Sequence, residues 1–127
     1  MKLPIIICEG RDINIFSSLE DACSYIEPID VKKGEYTAYD SDGYLLNITI
    51  IEKQRTYFCF WKFNTLSVNI EEAKGENRSE ELIEKLIAFL SAAGEKEFDK
   101  NARLPELVSY TEVFLSRKIR AKRNNGD

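Results

Sequence analysis

Residues 35–51 read EYTAYDSDGYLLNITII. Apolar side chains occupy alternate positions from Leu46 to Ile50, with Asn47 and Thr49 between them, and a period of two residues indicates a β-strand with one buried face. The tetrapeptide DSDG before these positions has the composition of a tight turn, with glycine where the backbone needs a positive φ. The segment predicts a β-hairpin with strands at residues 35–39 and 44–51.

A second hairpin and a helix are predicted on the N-terminal side. Residues 3–8 form an isoleucine-rich run, residues 9–12 have turn composition, and residues 13–16 return as a short strand. A capping box at Ser17–Glu20, with Ser17 as the capping residue, predicts a helix start. Pro28 ends this helix because the residue before a proline avoids helical geometry. We expect residues 29–34 to be a connecting loop.

Two further strands are predicted on the C-terminal side of the 35–51 hairpin. Lys53 and Gln54 favour a turn, and residues 55–63 are apolar on both faces, which is typical of a strand in the middle of a sheet. A short turn at residues 64–65 and the alternating residues 66–70 predict the last strand. The pattern therefore predicts about six strands in all.

Two helices are predicted after the last strand. Ser79 is expected to cap an amphipathic helix, and Pro105 is expected in the first turn of a second helix that ends among lysines and arginines. Consecutive strands joined by short turns are typical of an antiparallel meander on which helices pack. We therefore predict a single α+β domain over residues 1–127, with one helix in the N-terminal half and two C-terminal helices.

The chain has no histidine, which excludes several classes of active site. A Ser/His/Asp triad, a Cys/His dyad and a His-ligated metal cannot be formed. Cys8, Cys23 and Cys59 are far apart among apolar residues, so we expect buried, reduced thiols rather than disulfides or metal ligands. No glycine-rich phosphate-binding motif occurs in the sequence. We therefore predict that the protein is not an enzyme and holds neither a cofactor nor a metal.

Paired carboxylates are the remaining candidates for catalysis, but twenty-two acidic residues offer many pairs by chance. The sequence Asp40-x-Asp42-Gly43 is similar to the start of a calcium-binding loop, yet Tyr44 and two leucines follow where further ligands are required. We interpret this segment as a turn. A small carboxylate-based enzyme or a ligand-binding domain is kept as an alternative.

The net charge of −4 is unevenly distributed along the chain. Residues 117–127 hold five cations and one acid, whereas residues 1–116 hold thirteen cations and twenty-one acids, a net charge of −8. An acidic body repels a polyanion, and cations at the end of a helix also complement its dipole. We therefore do not expect nucleic-acid binding; a regulatory module that binds nucleic acid through residues 117–127 is the other alternative.

The apolar run at residues 3–8 is the strongest hydrophobic segment near the N-terminus. It is too short for a signal segment or a membrane span. We therefore expect a cytoplasmic protein that does not bind membranes.

An acidic body with many tyrosines suits the recognition of a cationic protein. Carboxylates accelerate the encounter of two such proteins, and aromatic side chains supply contact area that holds the complex. The densest mixture of these residue types lies between residues 30 and 44. The candidate partner-binding residues are Asp30, Glu35, Tyr36, Tyr39, Asp40, Asp42 and Tyr44.

Several short motifs in the first fifty residues resemble a group of small bacterial proteins. These motifs are PIIICEG at residues 4–10, FxxLEDA at 16–22, YIEPIDV at 25–31, GEY at 34–36 and YDSDG at 39–43. The group includes immunity proteins of polymorphic toxins and of contact-dependent growth inhibition. The resemblance implies a cytoplasmic inhibitor that binds a cognate cationic toxin domain, commonly a basic nuclease, and it carries no catalytic residues across.

Overall fold

A computed structural model describes residues 1–57 and 61–124. These residues form five strands and four helices. In chain order the elements are β1 (Ile5–Glu9), β2 (Asp12–Phe16), α1 (Leu19–Tyr25), α2 (Pro28–Lys32), β3 (Tyr36–Tyr39), β4 (Tyr44–Tyr57), β5 (Trp61–Asn77), α3 (Ser79–Ala92) and α4 (Leu104–Asn124). The α+β class and the antiparallel sheet predicted from the sequence are confirmed.

The five strands form one sheet in the order β2-β1-β3-β4-β5, and every neighbouring pair is antiparallel. β1 therefore lies between β2 and β3, with Ile6 opposite both Ile15 and Tyr39. The chain passes from β2 to β3 through α1 and α2, so the sheet is a sequential meander from β3 to β5 alone. Sequence periodicity predicted β1, β2 and β3 but could not specify this non-local pairing.

Helices cover both faces of the sheet. On one face, Ile5 and Ile7 of β1 pack with residues of α1 such as Ala22. On the other face, Ile6 and Cys8 pack with the apolar sides of α3 and α4. Because β1 is apolar on both faces, it forms the centre of two separate cores.

The helix α2 was not predicted. Residues 29–34 were expected to be a loop, but residues 28–32 form a short helix with Pro28 in its first turn. A proline is tolerated at that position because the N–H that it lacks would have no helical partner. Pro28 thus follows the end of α1 and also begins α2.

The prediction of three strands over residues 44–70 was wrong. β4 continues through Lys53 and Gln54, and it pairs with β5 from Leu46 opposite Glu72 to Tyr57 opposite Trp61. Residues 55–57 belong to β4 and pair there with β5 alone, and residues 61–63 belong to β5, which is an edge strand. For these described residues, the prediction of a strand in the middle of the sheet was also wrong. β4 and β5 form a two-stranded ribbon, and the polar residues near position 53 belong to an exposed part of it. A strand in such a position carries the same residue types as a turn. Residues 58–60, including Cys59, lie outside the described residues.

Two helix caps also differ from the prediction. The hydroxyl of Ser18, not Ser17, accepts a hydrogen bond from the N–H of Asp21 at the start of α1. At α3, Ser79 is the first helical residue, and its N–H donates to the side-chain oxygen of Asn77 at 3.0 Å. In both cases a polar side chain satisfies one of the free N–H groups of the first turn.

The cationic C-terminal segment is helical as far as Asn124. Between residues 104 and 122 the last buried residue of α4 is Thr111, and positions 116–122 are all exposed, so this part of the helix extends beyond the packed body. No helix among residues 1–57 and 61–124 is both long and apolar enough to cross a membrane.

Candidate functional site

The seven candidate residues separate into two groups at opposite ends of β3. Asp30, Glu35 and Tyr36 lie at its beginning, whereas Asp42 and Tyr44 lie beyond its end. The remaining two, Tyr39 and Asp40, are buried between the groups. The candidates therefore do not form one surface.

Three carboxylates converge at the beginning of β3. Glu9 comes from the end of β1, Asp30 from α2 and Glu35 from the residue before β3. Carboxylate oxygens of the three side chains lie within 4.8 Å of one another. Glu9 is placed there by its register opposite Tyr36, and Asp12 is its partner across the first hairpin. We call Glu9, Asp12, Asp30, Glu35 and Tyr36 the acidic surface.

Two tyrosines border these carboxylates. The hydroxyl of Tyr36 donates to the carboxylate of Asp30 at 3.4 Å, and the Tyr36 ring meets the Tyr25 ring edge to face with 6.4 Å between centroids. Burial and the charges of Glu9 and Asp12 raise the pKa of Tyr25. Burial raises the pKa of Tyr36, and the charges of Glu9 and Asp30 raise it further. A hydrogen bond with the backbone at Glu27 lowers this pKa in part. Both phenols therefore stay protonated and can donate hydrogen bonds.

The acids of this surface form no ion pair with the described residues of the chain. In the part of the chain that the structure describes, no Lys or Arg nitrogen lies within 4 Å of a carboxylate of Glu9, Asp12, Asp30 or Glu35. A cleft of about 660 Å³ opens beside them, and Glu9, Asp12 and Glu35 line it together with Lys85. Like charges at this separation repel one another, so a positive group placed among them would be attracted.

The carboxylate of Asp40 has a structural role. The side chain is 4 % exposed, and one oxygen accepts hydrogen bonds from the N–H groups of Asp42 at 2.9 Å and Tyr44 at 3.0 Å. The other oxygen accepts from the N–H of Lys2 at 3.3 Å. Asp40 cannot present its charge to a partner, so its assignment to the partner-binding set is corrected. The interpretation of DSDG as a turn is confirmed.

Tyr39 must also be removed from the partner-binding set. Its side chain is 0 % exposed, and its hydroxyl accepts a hydrogen bond from the Lys85 ammonium at 3.0 Å. The ammonium lies 5.2 Å from the ring centroid, next to the hydroxyl edge, so this hydrogen bond is the main contact between the two side chains. β3 turns Tyr39 toward α3 because residue 39 lies opposite Ile6, on the face that α3 covers.

Asp42 and Tyr44 are exposed at the other end of β3. They line a second cavity of about 400 Å³ together with the N-terminus, Lys2 and Glu72. The Lys2 ammonium is 3.4 Å from the Asp42 carboxylate, and the N-terminal amine pairs with Glu72. Because cations of the same chain already meet these acids, this end is less suited to a cationic partner.

Metal binding has one geometric candidate in the described part of the chain, the carboxylates of Glu9, Asp30 and Glu35. Hard cations such as Ca²⁺ take six to eight oxygen ligands, so three monodentate groups supply about half of such a shell. Exposed carboxylates also adopt this spacing without an ion. Asp40 is not part of this cluster, and both of its carboxylate oxygens accept hydrogen bonds from the backbone.

The cysteine thiols of the described residues are poorly suited to nucleophilic chemistry. Cys8 is 2 % exposed, and burial raises its pKa to about 11, although Lys85 lowers it in part. Burial also raises the pKa of Cys23, which is half-buried. Both groups are therefore thiols rather than thiolates near neutral pH.

Sequence reasoning missed Glu9, Asp12 and Tyr25. Glu9 and Asp12 were interpreted as turn residues, and Tyr25 as part of a helix. Their position beside Asp30 and Glu35 depends on the pairing of β1 with β3. The signal that could have found Glu9 and Asp12 is the presence of two acids at the turn end of the first hairpin.

The chain was compared with protein-family models, with curated proteins and with solved structures, and none of the three comparisons gave a match.

Proposed function

We propose that this protein binds a cationic toxin domain through the acidic surface and neutralises it, as an immunity protein of the bacterial cytoplasm. The observation that carries the proposal is the convergence of Glu9, Asp30 and Glu35 from three separate segments, without a cation within 4 Å in the described residues. The resemblance of the first fifty residues to immunity proteins supports the same function.

The energetics of the acidic surface favour binding over a structural role. Three neighbouring carboxylates repel one another in the free protein, and a Lys or Arg side chain of a partner replaces that repulsion with attraction. Tyr36 and Tyr25 add rigid aromatic area beside the charges, which is typical of residues that dominate binding energy. The net charge of −8 on residues 1–116 accelerates the encounter with a basic partner.

The first test is co-expression with the polypeptide encoded by the adjacent upstream gene. A complex that survives purification, together with rescued growth of cells that produce this polypeptide, supports the proposal. A polypeptide that neither binds this chain nor is inhibited by it overturns the proposal.

The second test locates the interface by charge neutralisation. We expect Glu9→Gln with Glu35→Gln to slow association at least about tenfold at low salt and to flatten its salt dependence. Glu84→Gln with Glu106→Gln removes two exposed acids from helices outside the acidic surface and serves as the matched control. Equal effects of the two double variants exclude this surface as the interface.

One observation favours a second candidate function, a small ligand-binding domain or carboxylate-based enzyme. The 660 Å³ cleft is polar and is bordered by three acids and by Lys85. Spermidine is a suitable cationic probe, because it carries several ammonium groups that clustered carboxylates attract. Saturable binding of spermidine that Glu9→Gln abolishes favours this candidate, and the absence of saturable binding counts against it.

A further inference from the structure

A further recess lies between the β1–β2 turn and α3, and it shares Cys8, Gly10 and Lys85 with the cleft beside the acidic surface. It has a volume of about 410 Å³ and is separate in chemistry from the acidic surface. Its lining residues are Cys8, Gly10, Arg11, Ile13, Lys85, Ala88, Phe89 and Ala92. We call this recess the hairpin groove.

The hairpin groove is open because the residues along its walls are small. Ala88 and Ala92 lie one turn apart on α3, and Gly10 in the facing turn has no other heavy atoms within 4 Å of the position a Cβ would occupy. Its floor is apolar, since Cys8 is 2 % and Ile13 is 3 % exposed. An aliphatic chain that displaced water from these walls would gain hydrophobic free energy.

Two cations stand at the rim of the hairpin groove. Among the described residues, no carboxylate lies within 4 Å of the Arg11 guanidinium or the Lys85 ammonium. The hydrogen bond from Lys85 to Tyr39 fixes the ammonium in place and uses one of its three protons. Glu81, one turn earlier on α3, is 3.9 Å from the guanidinium of Arg78. Arg11 and Lys85 are therefore free to bind an anion.

We propose that the hairpin groove binds a small aliphatic carboxylate. The alkyl chain of the ligand lies on Ile13, Phe89 and the side of α3 that carries the alanines. The carboxylate of the ligand accepts hydrogen bonds from Arg11 and Lys85. A guanidinium is suited to this role because its planar donors match a carboxylate in two places. The hairpin groove and the cleft beside the acidic surface share Lys85, so the two sites are neighbours. The hairpin groove differs from that cleft in its apolar floor and walls, and carboxylate binding there does not depend on a toxin partner.

Decanoate is the probe for this site, and decan-1-ol is its uncharged match. We expect millimolar decanoate to shift the amide resonances of the β1–β2 turn and of residues 85–92 in a saturable manner. Decan-1-ol should bind at least about fivefold more weakly, because it offers no charge to Arg11 and Lys85. Shifts confined to other parts of the chain, or equal affinity for the two probes, overturn the proposal.

Two variants with matched controls test the walls and the charge separately. Ala88→Leu fills the hairpin groove and should abolish binding, whereas Ser91→Leu adds the same side chain to an exposed position of α3 outside it. Arg11→Gln should weaken binding about fivefold, whereas Arg103→Gln should not change it. Far-ultraviolet circular dichroism confirms that each variant is folded. Undiminished binding to a folded Ala88→Leu protein, or equal effects of the two arginine variants, contradicts the proposal.

Discussion

Gly43 touches Ser79, the first residue of α3, so closely that no side chain fits between them. A Cβ on Gly43 would lie 2.5 Å from the Cα and 2.7 Å from the Cβ of Ser79, and the backbone at Gly43 has a φ of 87°. The carbonyl of Gly43 also accepts a hydrogen bond from the N–H of Arg78 at 2.7 Å. The DSDG turn therefore packs directly against the first residue of α3.

Substitution of Gly43 by alanine should destabilise the protein strongly. We expect Gly43→Ala to lower the free energy of unfolding by about 3 kcal/mol or more, because steric overlap adds to the strain of a positive φ. Gly75→Ala is the control, since Gly75 has a φ of 81° but nothing within 4 Å of its Cβ position. The Gly75→Ala substitution should lower the free energy of unfolding by about 1 kcal/mol. Equal losses in urea denaturation would show that the contact with Ser79 has no role.

The two aspartates of the DSDG turn should respond differently to truncation. Asp40→Ala removes a buried carboxylate that accepts three backbone hydrogen bonds, and we expect a loss of about 2–3 kcal/mol. Asp42 is exposed and pairs with Lys2 in solvent, so Asp42→Ala should change stability by less than about 0.5 kcal/mol. Chemical denaturation measures the free energy of unfolding of both variants. Comparable losses of stability in the two variants would contradict the conclusion that the carboxylate of Asp40, and not that of Asp42, stabilises the turn.

Stability should fall as the pH rises through the titration range of Cys8. Its pKa in the folded protein is raised from 9.0 to about 11 by burial, so between these values the unfolded chain loses a proton that the folded chain keeps. The resulting loss is about 2 kcal/mol by pH 11. Thermal denaturation of Cys8→Ala should show a shallower decline over this range than the parent. Cys23→Ala is the comparison, and an unchanged decline in both variants would contradict the prediction.

The basic end of α4 should make a small, salt-sensitive contribution to any contact with nucleic acid. Arg117, Lys118, Arg120 and Lys122 are exposed, and Arg117 is paired at 3.5 Å with Glu95. We expect no sequence-specific affinity for duplex DNA, and residual binding at low salt should fall with a log–log slope no steeper than about −4. Removal of residues 117–127 should abolish this binding without loss of stability. Binding that persists without these residues would contradict the expectation.

The local elements could be predicted from the sequence because their signals are local. The turn at DSDG, the first hairpin and the amphipathic helices α3 and α4 each follow from residues within one element. The ribbon of β4 and β5 could not be predicted in this way. Lys53 and Gln54 are polar because that part of the ribbon is exposed, and a solvated strand gives no hydrophobic pattern to distinguish it from a turn.

The candidate site was predicted in part. Asp30, Glu35 and Tyr36 do lie together, because α2 and the loop after it bring them to the beginning of β3. Tyr39 and Asp40 have the same residue types but are buried, and alternation along a short strand does not reveal which face a second helical layer covers. Glu9 reaches the site through the pairing of β1 with β3, which no local pattern encodes.

The position of β1 between β2 and β3 also sets the order in which the sheet can be completed. The pairs β1–β2, β3–β4 and β4–β5 join neighbours in the chain, so each can close early as a local hairpin. The pairing of Ile6 with Tyr39 instead closes a long loop that contains both α1 and α2, and the entropy of that closure must be overcome in one step. We expect the docking of the first hairpin onto β3 to limit the rate of folding. The acidic surface and the sheet then form in the same event, because Glu9 reaches Asp30 and Glu35 only when β1 meets β3.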